Sequence, residues 1–288
     1  MFWMILMNQQ EEKKDVISMG RWWGDYEVGT NQTLRWQIGP KILWISRDHK
    51  EWKVASVEAQ EPLDNPLIVA ETTKEPDGDD IDVWRFAVQS KSNAVRLVPA
   101  LPDRPLIVKT TKPVFVPSME ETILFVSIPL WLRIYAGEGS AELMDSAIVR
   151  PSDTWFGPNT MKGDLCYASQ TSARLHIEDL PLRPHRSMTS VRIRNNSILK
   201  LHIEGLKIPV NNLSLFVSEK GHLWTEALTL EQDDHTDKAN VRLDKKPALT
   251  MESTLVTQPR TKISKGFLLD AFGSLVAKKK GEKNERVP

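Results

Sequence analysis

Cysteine is almost missing from this chain: its 288 residues hold one, Cys166, so neither an intramolecular disulfide nor a cysteine-based zinc cluster can form within it. A reducing, cytoplasmic compartment suits such a composition. Net charge is missing too, since 38 Lys and Arg cancel 38 Asp and Glu. The long-range attraction that a nucleic-acid backbone needs is therefore absent, and no nucleic-acid partner is expected. Long hydrophobic runs are lacking as well. The apolar opening, Met1 to Met7, falls far short of the roughly 20 residues of a bilayer span, and no basic segment precedes it as in a secretory signal. With Met19 close behind and a polar run from Gln9 to Asp15, residues 1–20 read as a frayed leader or an overextended start. Finally, no glycine-rich phosphate loop, dinucleotide fingerprint, nucleophile elbow or helical zinc-protease motif occurs. The chain is accordingly read as non-enzymatic, with no catalytic residue and no cofactor assigned.

What is present is a β pattern. Apolar residues make up 40% of the chain, enough for a folded core, and its length suggests more than one domain. Leu34, Trp36 and Ile38 alternate with Arg35 and Gln37; Gly39-Pro40 turns the chain, and Arg47 to Lys50 turns it again. Such period-two runs between turn signals predict a meander of at least three half-buried strands. Asp77-Gly78-Asp79 ahead of Trp84 and Phe86 suggests a further hairpin. Five prolines between Pro99 and Pro117 remove ladder donors, so that stretch is expected to be a domain boundary or a sheet-to-sheet crossover, not a central strand. Beyond it, an apolar row runs from Leu124 to Ile134, interrupted by Pro129. Leu213 to Ser218, a Glu219-Lys220-Gly221 turn and His222 to Leu230 form the clearest hairpin. The predicted fold is all-β, with two sandwich-like domains over 21–110 and 111–258 and a basic tail over 259–288.

Phe267, Leu268, Ala271, Phe272, Leu275 and Val276 recur at helical spacing, which predicts an amphipathic helix closed by Lys278, Lys279 and Lys280. From Arg260 onward eight basic residues face three acidic ones, an excess of five positive charges. A basic amphipathic helix of this kind lies either in a partner's groove or peripherally at a membrane interface, unless it packs on its own sheet.

Two other constellations bear on function. The run Leu175-His176-Ile177-Glu178 is echoed by Leu201-His202-Ile203-Glu204. On two neighbouring strands, His176, Glu178, His202 and Glu204 would have the ligand types for a divalent metal, and a metal-dependent hydrolase would follow; as a solvated polar face they carry no chemistry. Ten tryptophans is a high count, and tryptophans left exposed mark sugar or partner surfaces. Trp36, Trp44, Trp52 and Trp84 read as core fillers, whereas the adjacent pair Trp22-Trp23 places one ring on each face of a strand. A small-molecule or carbohydrate-binding β-sandwich is therefore an alternative reading.

One segment goes further. Pro151-Ser152-Asp153-Thr154-Trp155-Phe156-Gly157, then Gly163-Asp164-Leu165-Cys166-Tyr167-Ala168, Arg192 to Ser197, and Ile208 to Leu215 leading to Gly221-His222-Leu223-Trp224-Thr225, resemble the family of uncharacterised archaeal and bacterial proteins known as domain of unknown function 432. The resemblance extends from about Pro113 to Ala271, and more loosely over the N-terminal meander. It supplies no catalytic residues. It implies an accessory subunit of a small-conductance mechanosensitive-type membrane channel, peripheral at the inner membrane face, with a protein partner. Asp153, Thr154, Trp155, Phe156 and Trp224 are the motif residues expected to bind. Physically, Asp153 and Thr154 can close a turn that Trp155 and Phe156 anchor, so the motif also reads as a structural corner.

Overall fold

Alternation of buried and solvated side chains does produce strands where it was read. The computed structural model describes residues 21–262, apart from 60–66, 79–80, 90, 138–140, 160–161, 235–238, 245 and 248–251, together with the backbone of 268–269. The leader 1–20 lies outside the described residues. The first strands are β1 (Gly24–Glu27), β2 (Gln32–Ile38), β3 (Lys41–Arg47), β4 (Glu51–Glu58), β5 (Leu67–Thr73), β6 (Asp82–Ala87) and β7 (Ala94–Ala100). The middle of the chain forms β8 (Leu106–Val116), β9 (Glu121–Pro129), β10 (Trp131–Ala136), β11 (Ala141–Ala147), β12 (Ser152–Asn159) and β13 (Lys162–Ala168). The rest forms β14 (Arg186–Asn195), β15 (Leu201–Ile208), β16 (Leu215–Ser218), β17 (Leu223–Thr225), β18 (Leu228–Gln232), β19 (Ala239–Leu243), β20 (Ser253–Thr257) and β21 (Leu268–Leu269). The protein is mainly β, and among the described residues no helix reaches seven residues.

The meander β2-β3-β4 is the centre of a five-stranded sheet in the order β5-β2-β3-β4-β6. β5 and β6 therefore sit on opposite edges and do not form the hairpin expected around Asp77-Gly78-Asp79; each finds an open edge of the meander instead. A four-stranded sheet runs β1-β7-β10-β11, a second β12-β13-β8-β15, and an eight-stranded sheet contains β9 and β14 to β21 without β15. A single buried apolar cluster joins residues from all four sheets, from Trp22 through Trp36, Leu106 and Ile134 to Val241.

The proline-rich stretch is a crossover between sheets, with β7 in one and β8 in another, while β7 ahead of it pairs with β10 beyond it. The expectation that it holds no interior strand fails at β8, which lies between β13 and β15. Pro113 is tolerated because the ladder to β15 is interrupted between Ile203 and Gly205, and β13 pairs only with Leu106 and Ile107. No donor is demanded of the proline there. Pro129 marks a similar change: β9 pairs with β14 up to Pro129, and after Leu130 the chain continues as β10 in a different sheet.

The predicted C-terminal helix is replaced, where the structure describes it, by extended backbone. Leu268 and Leu269 form a two-residue strand against Asn240 and Ala239. An unsatisfied edge of β19 offers ladder hydrogen bonds that outcompete a short helical pattern. Phe267, Phe272, Leu275, Lys278, Lys279 and Lys280 lie outside the described residues. Among those described, no helix is long and apolar enough to cross a membrane.

Candidate functional site

The family-like motif forms a strand, not a turn. Asp153 to Phe156 lie in β12, which pairs antiparallel with β13, setting Trp155 opposite Leu165 and Phe156 opposite Asp164. Alternation then decides what each side chain does. Asp153 takes Arg104 and Arg150, each at 3.2 Å, on a solvated face where such pairs contribute about 0–1 kcal/mol. Thr154 is half-buried. Phe156 is half-buried under the Lys207 ammonium, 5.3 Å above its ring, and that ammonium is itself buried and pairs with Asp164. Trp155 and Leu165 are each 46% exposed and form an apolar cross-strand pair. A Cβ on Gly163 would come within 2.8 Å of the indole nitrogen of Trp155, so glycine is what lets the ring lie across the neighbouring strand. Cys166, on the same strand, is sealed, and burial pushes its thiol up to about 11, so it is not a nucleophile at neutral pH.

Trp224 is placed elsewhere. It is buried on β17 in a small cluster with Leu180 and Met188. The structure does not bring it to the β12 motif; it is a core residue of the eight-stranded sheet.

The two echoing segments are not two like strands. Leu201 to Ile208 is β15, but His176 precedes a short 3-10 turn at Ile177–Asp179. Leu201 to Ile208 has β8 to pair with, whereas the earlier segment leaves its isolated bridges at Ala173 and Arg174 and curls. The His202 ring stacks on Phe115 with centroids 4.5 Å apart, and its Nε2 lies 3.6 Å from Glu204. Among the described residues no three His, Cys, Asp or Glu side chains converge on a point that could hold a metal ion.

A pocket that the sequence did not point to opens where the N-terminal segment meets the loop before β14. Its volume is about 250 Å³, near the lower edge of the ~300–1,000 Å³ usual for small-molecule sites. One wall is aromatic: Trp22 is fully buried, and Trp23 packs edge-on against it at 5.5 Å and 83°. Trp22 is anchored by its indole N–H, which donates to the Pro184 carbonyl at 2.8 Å. That bond ties the residues ahead of β1 to the segment Pro181 to Pro184, the second wall. The same segment is clamped behind, where the Leu130 amide donates to the His185 carbonyl at 3.0 Å. Lys220, Gly221 and His222, the turn of the β16-β17 hairpin, form the third side.

At the base is Arg186, 7% exposed. Its Nε donates to the Ser127 hydroxyl at 2.6 Å, and its Nη2 to the Ser127 carbonyl at 2.8 Å and the Thr171 hydroxyl at 3.1 Å. All three acceptors are neutral. Burial, with Arg183 nearby, pushes the guanidinium down to about 10, which leaves it charged at neutral pH. No Asp or Glu is among the described residues lining the pocket, while Arg183 and Lys220 add to its positive side.

The chain belongs to the family described as protein of unknown function DUF432, whose model matches residues 22–277. That match takes in the pocket as well as the β12-β13 motif. Among curated proteins and among solved structures, none matches the chain.

Proposed function

We propose that this chain is a non-enzymatic binding protein that takes a small molecule into the pocket beneath Trp22 and Trp23. The observation that carries the reading is a concave site with aromatic and aliphatic walls and a few fixed polar groups, which is how small-molecule sites are built. Its walls come from segments distant in the chain and held by hydrogen bonds, so the cavity is formed before a ligand arrives. A ligand that binds the folded chain alone raises its melting temperature by mass action. A thermal-shift screen of metabolites over the full chain is expected to find a saturable stabiliser; a broad screen with no shift would contradict the reading.

A second reading, an accessory subunit of a small-conductance mechanosensitive-type channel, is supported by the exposed Trp155–Leu165 pair that the family motif presents. Aromatic residues of this kind are the usual anchors of protein interfaces. The basic tail would add peripheral membrane contact. Tagged protein recovered from gently solubilised native membranes is expected to bring a channel subunit with it, and to lose it when Trp155 becomes Ala or when residues 264–288 are removed. Recovery of the protein alone in all three cases would end this reading.

A further inference from the structure

We propose that the pocket beneath Trp22 and Trp23 is an oxyanion receptor, with Arg186 taking the carboxylate or phosphate head of a small ligand whose apolar body lies against the tryptophan wall. This deepens the small-molecule reading and rests on it.

Arg186 carries a buried charge with no acid partner among the described residues. Removing a cation from water costs several kcal/mol, by the order-of-magnitude figure for real proteins, unless an opposite charge or a full set of acceptors replaces the water. Arg186 is more than nine-tenths buried, yet the ion pairs of the described residues give it no carboxylate. Two of its three nitrogens are occupied, Nε by Ser127 and Nη2 by Ser127 and Thr171. Its remaining nitrogen, Nη1, reaches no acceptor among the described residues. Those three bonds fix the guanidinium plane and commit both hydrogens of Nη2, which leaves the N–H donors of Nη1 for a charge-assisted bond to an oxyanion.

The surroundings have the same polarity. Arg183 and Lys220 line the pocket with Arg186, and the imidazole of His222, also among the described lining residues, is held below its usual value by burial and by Lys220. With Arg186 and Lys220 on two sides and no acid among the described lining residues, the site would repel a cationic ligand. A neutral sugar would leave the buried Arg186 charge without a counter-charge. The apolar surface, Trp22, Trp23, Leu67 and Met188, excludes a bare inorganic ion as the best fit and favours an anion carrying a ring or short chain.

Phenyl phosphate, benzoate, uncharged benzamide and inorganic phosphate, titrated separately into the full chain, provide the test, read by melting temperature and tryptophan fluorescence. The two aryl anions are expected to bind saturably, at least tenfold more tightly than benzamide and more tightly than inorganic phosphate, and to weaken as salt is raised. Arg186→Met is expected to fold and to lose the preference for anions. Should that variant fail to fold, Lys220→Gln, in an exposed turn, is expected to weaken the aryl anions several-fold while leaving benzamide unchanged. Benzamide binding as tightly as benzoate would overturn the anion receptor and leave the small-molecule reading standing. Anion binding that survives both substitutions unchanged would overturn it too, as would no response to any of the anions.

Discussion

Single residues in this protein show how strongly environment overrides type. His185 is 5% exposed, and burial, with the charges of Arg186 and Arg183, pushes its imidazole down to about 4. Native His185 is thus neutral where the unfolded chain, with an ordinary value near 6.5, begins to take a proton. The folded form binds fewer protons below that value. Its stability is complete above about pH 6.5, falls as pH drops toward about 4, and levels off below, a loss of roughly 3 kcal/mol at most. Urea unfolding at pH 7 and pH 4.5 checks this: wild type is expected to lose about 2 kcal/mol more than His185→Gln between the two. Equal losses would remove His185 from the acid response. At this scale the sequence was a poor guide. Trp36 and Trp52 are core fillers as read, but Trp84 is 40% exposed, on the edge strand β6, and Trp224, read as a binding residue, is buried. Arg186 reads as an ordinary surface cation, because nothing nearby in the chain announces that Ser127 and Thr171 will close around it.

Among the elements, hairpins and meanders were the legible part, since antiparallel strands with one buried face write their period directly into the chain. The β2-β3-β4 meander lies where it was read, and so does the β16-β17 hairpin with Gly221 at φ +81°, except that its second strand, read as running to Leu230, stops at Thr225 and the chain resumes as β18 beside β14. What failed were elements whose form depends on an absent or unexpected neighbour: the 3-10 turn at Ile177–Asp179, the bulged strand around Pro113, and Leu268–Leu269 on the edge of β19. The β2-β3 turn gives a test of how tightly elements lock. Gly39 has φ +59°, and a Cβ there would fall 2.1 Å from Nδ1 of His185 on another sheet's flank. Gly39→Ala therefore carries both left-handed strain and overpacking and is expected to cost about 2–4 kcal/mol. Gly221 also has a left-handed φ, but no atom lies within 4 Å of the Cβ it would gain. Gly221→Ala is expected to cost only about 1 kcal/mol. Denaturant titration of both variants compares them, and equal losses would mean that the turn does not press on His185.

On the scale of the whole molecule, the pocket is a product of tertiary structure. Trp22 and Pro184, joined by one hydrogen bond, are 162 residues apart in sequence. Ser127 and Arg186 are 59 apart, and the third wall is a hairpin turn later still. No local pattern could have announced a site assembled this way, whereas the β12-β13 motif, contiguous in sequence, was visible at once and proved to be an exposed strand. The same assembly ties ligand binding to the integrity of the whole fold, because the N-terminal segment, the β9-β10 corner and the loop before β14 all hold one cavity.

The most direct test of the account is a fluorescence titration of the intact chain with phenyl phosphate, beside Trp23→Leu, whose lost ring is half-buried at the pocket wall. A saturable change in wild type, absent or much weakened in a Trp23→Leu protein of unchanged melting temperature, is the predicted result. The same change in both proteins, or none in either, would contradict the claim that this pocket is where the protein binds.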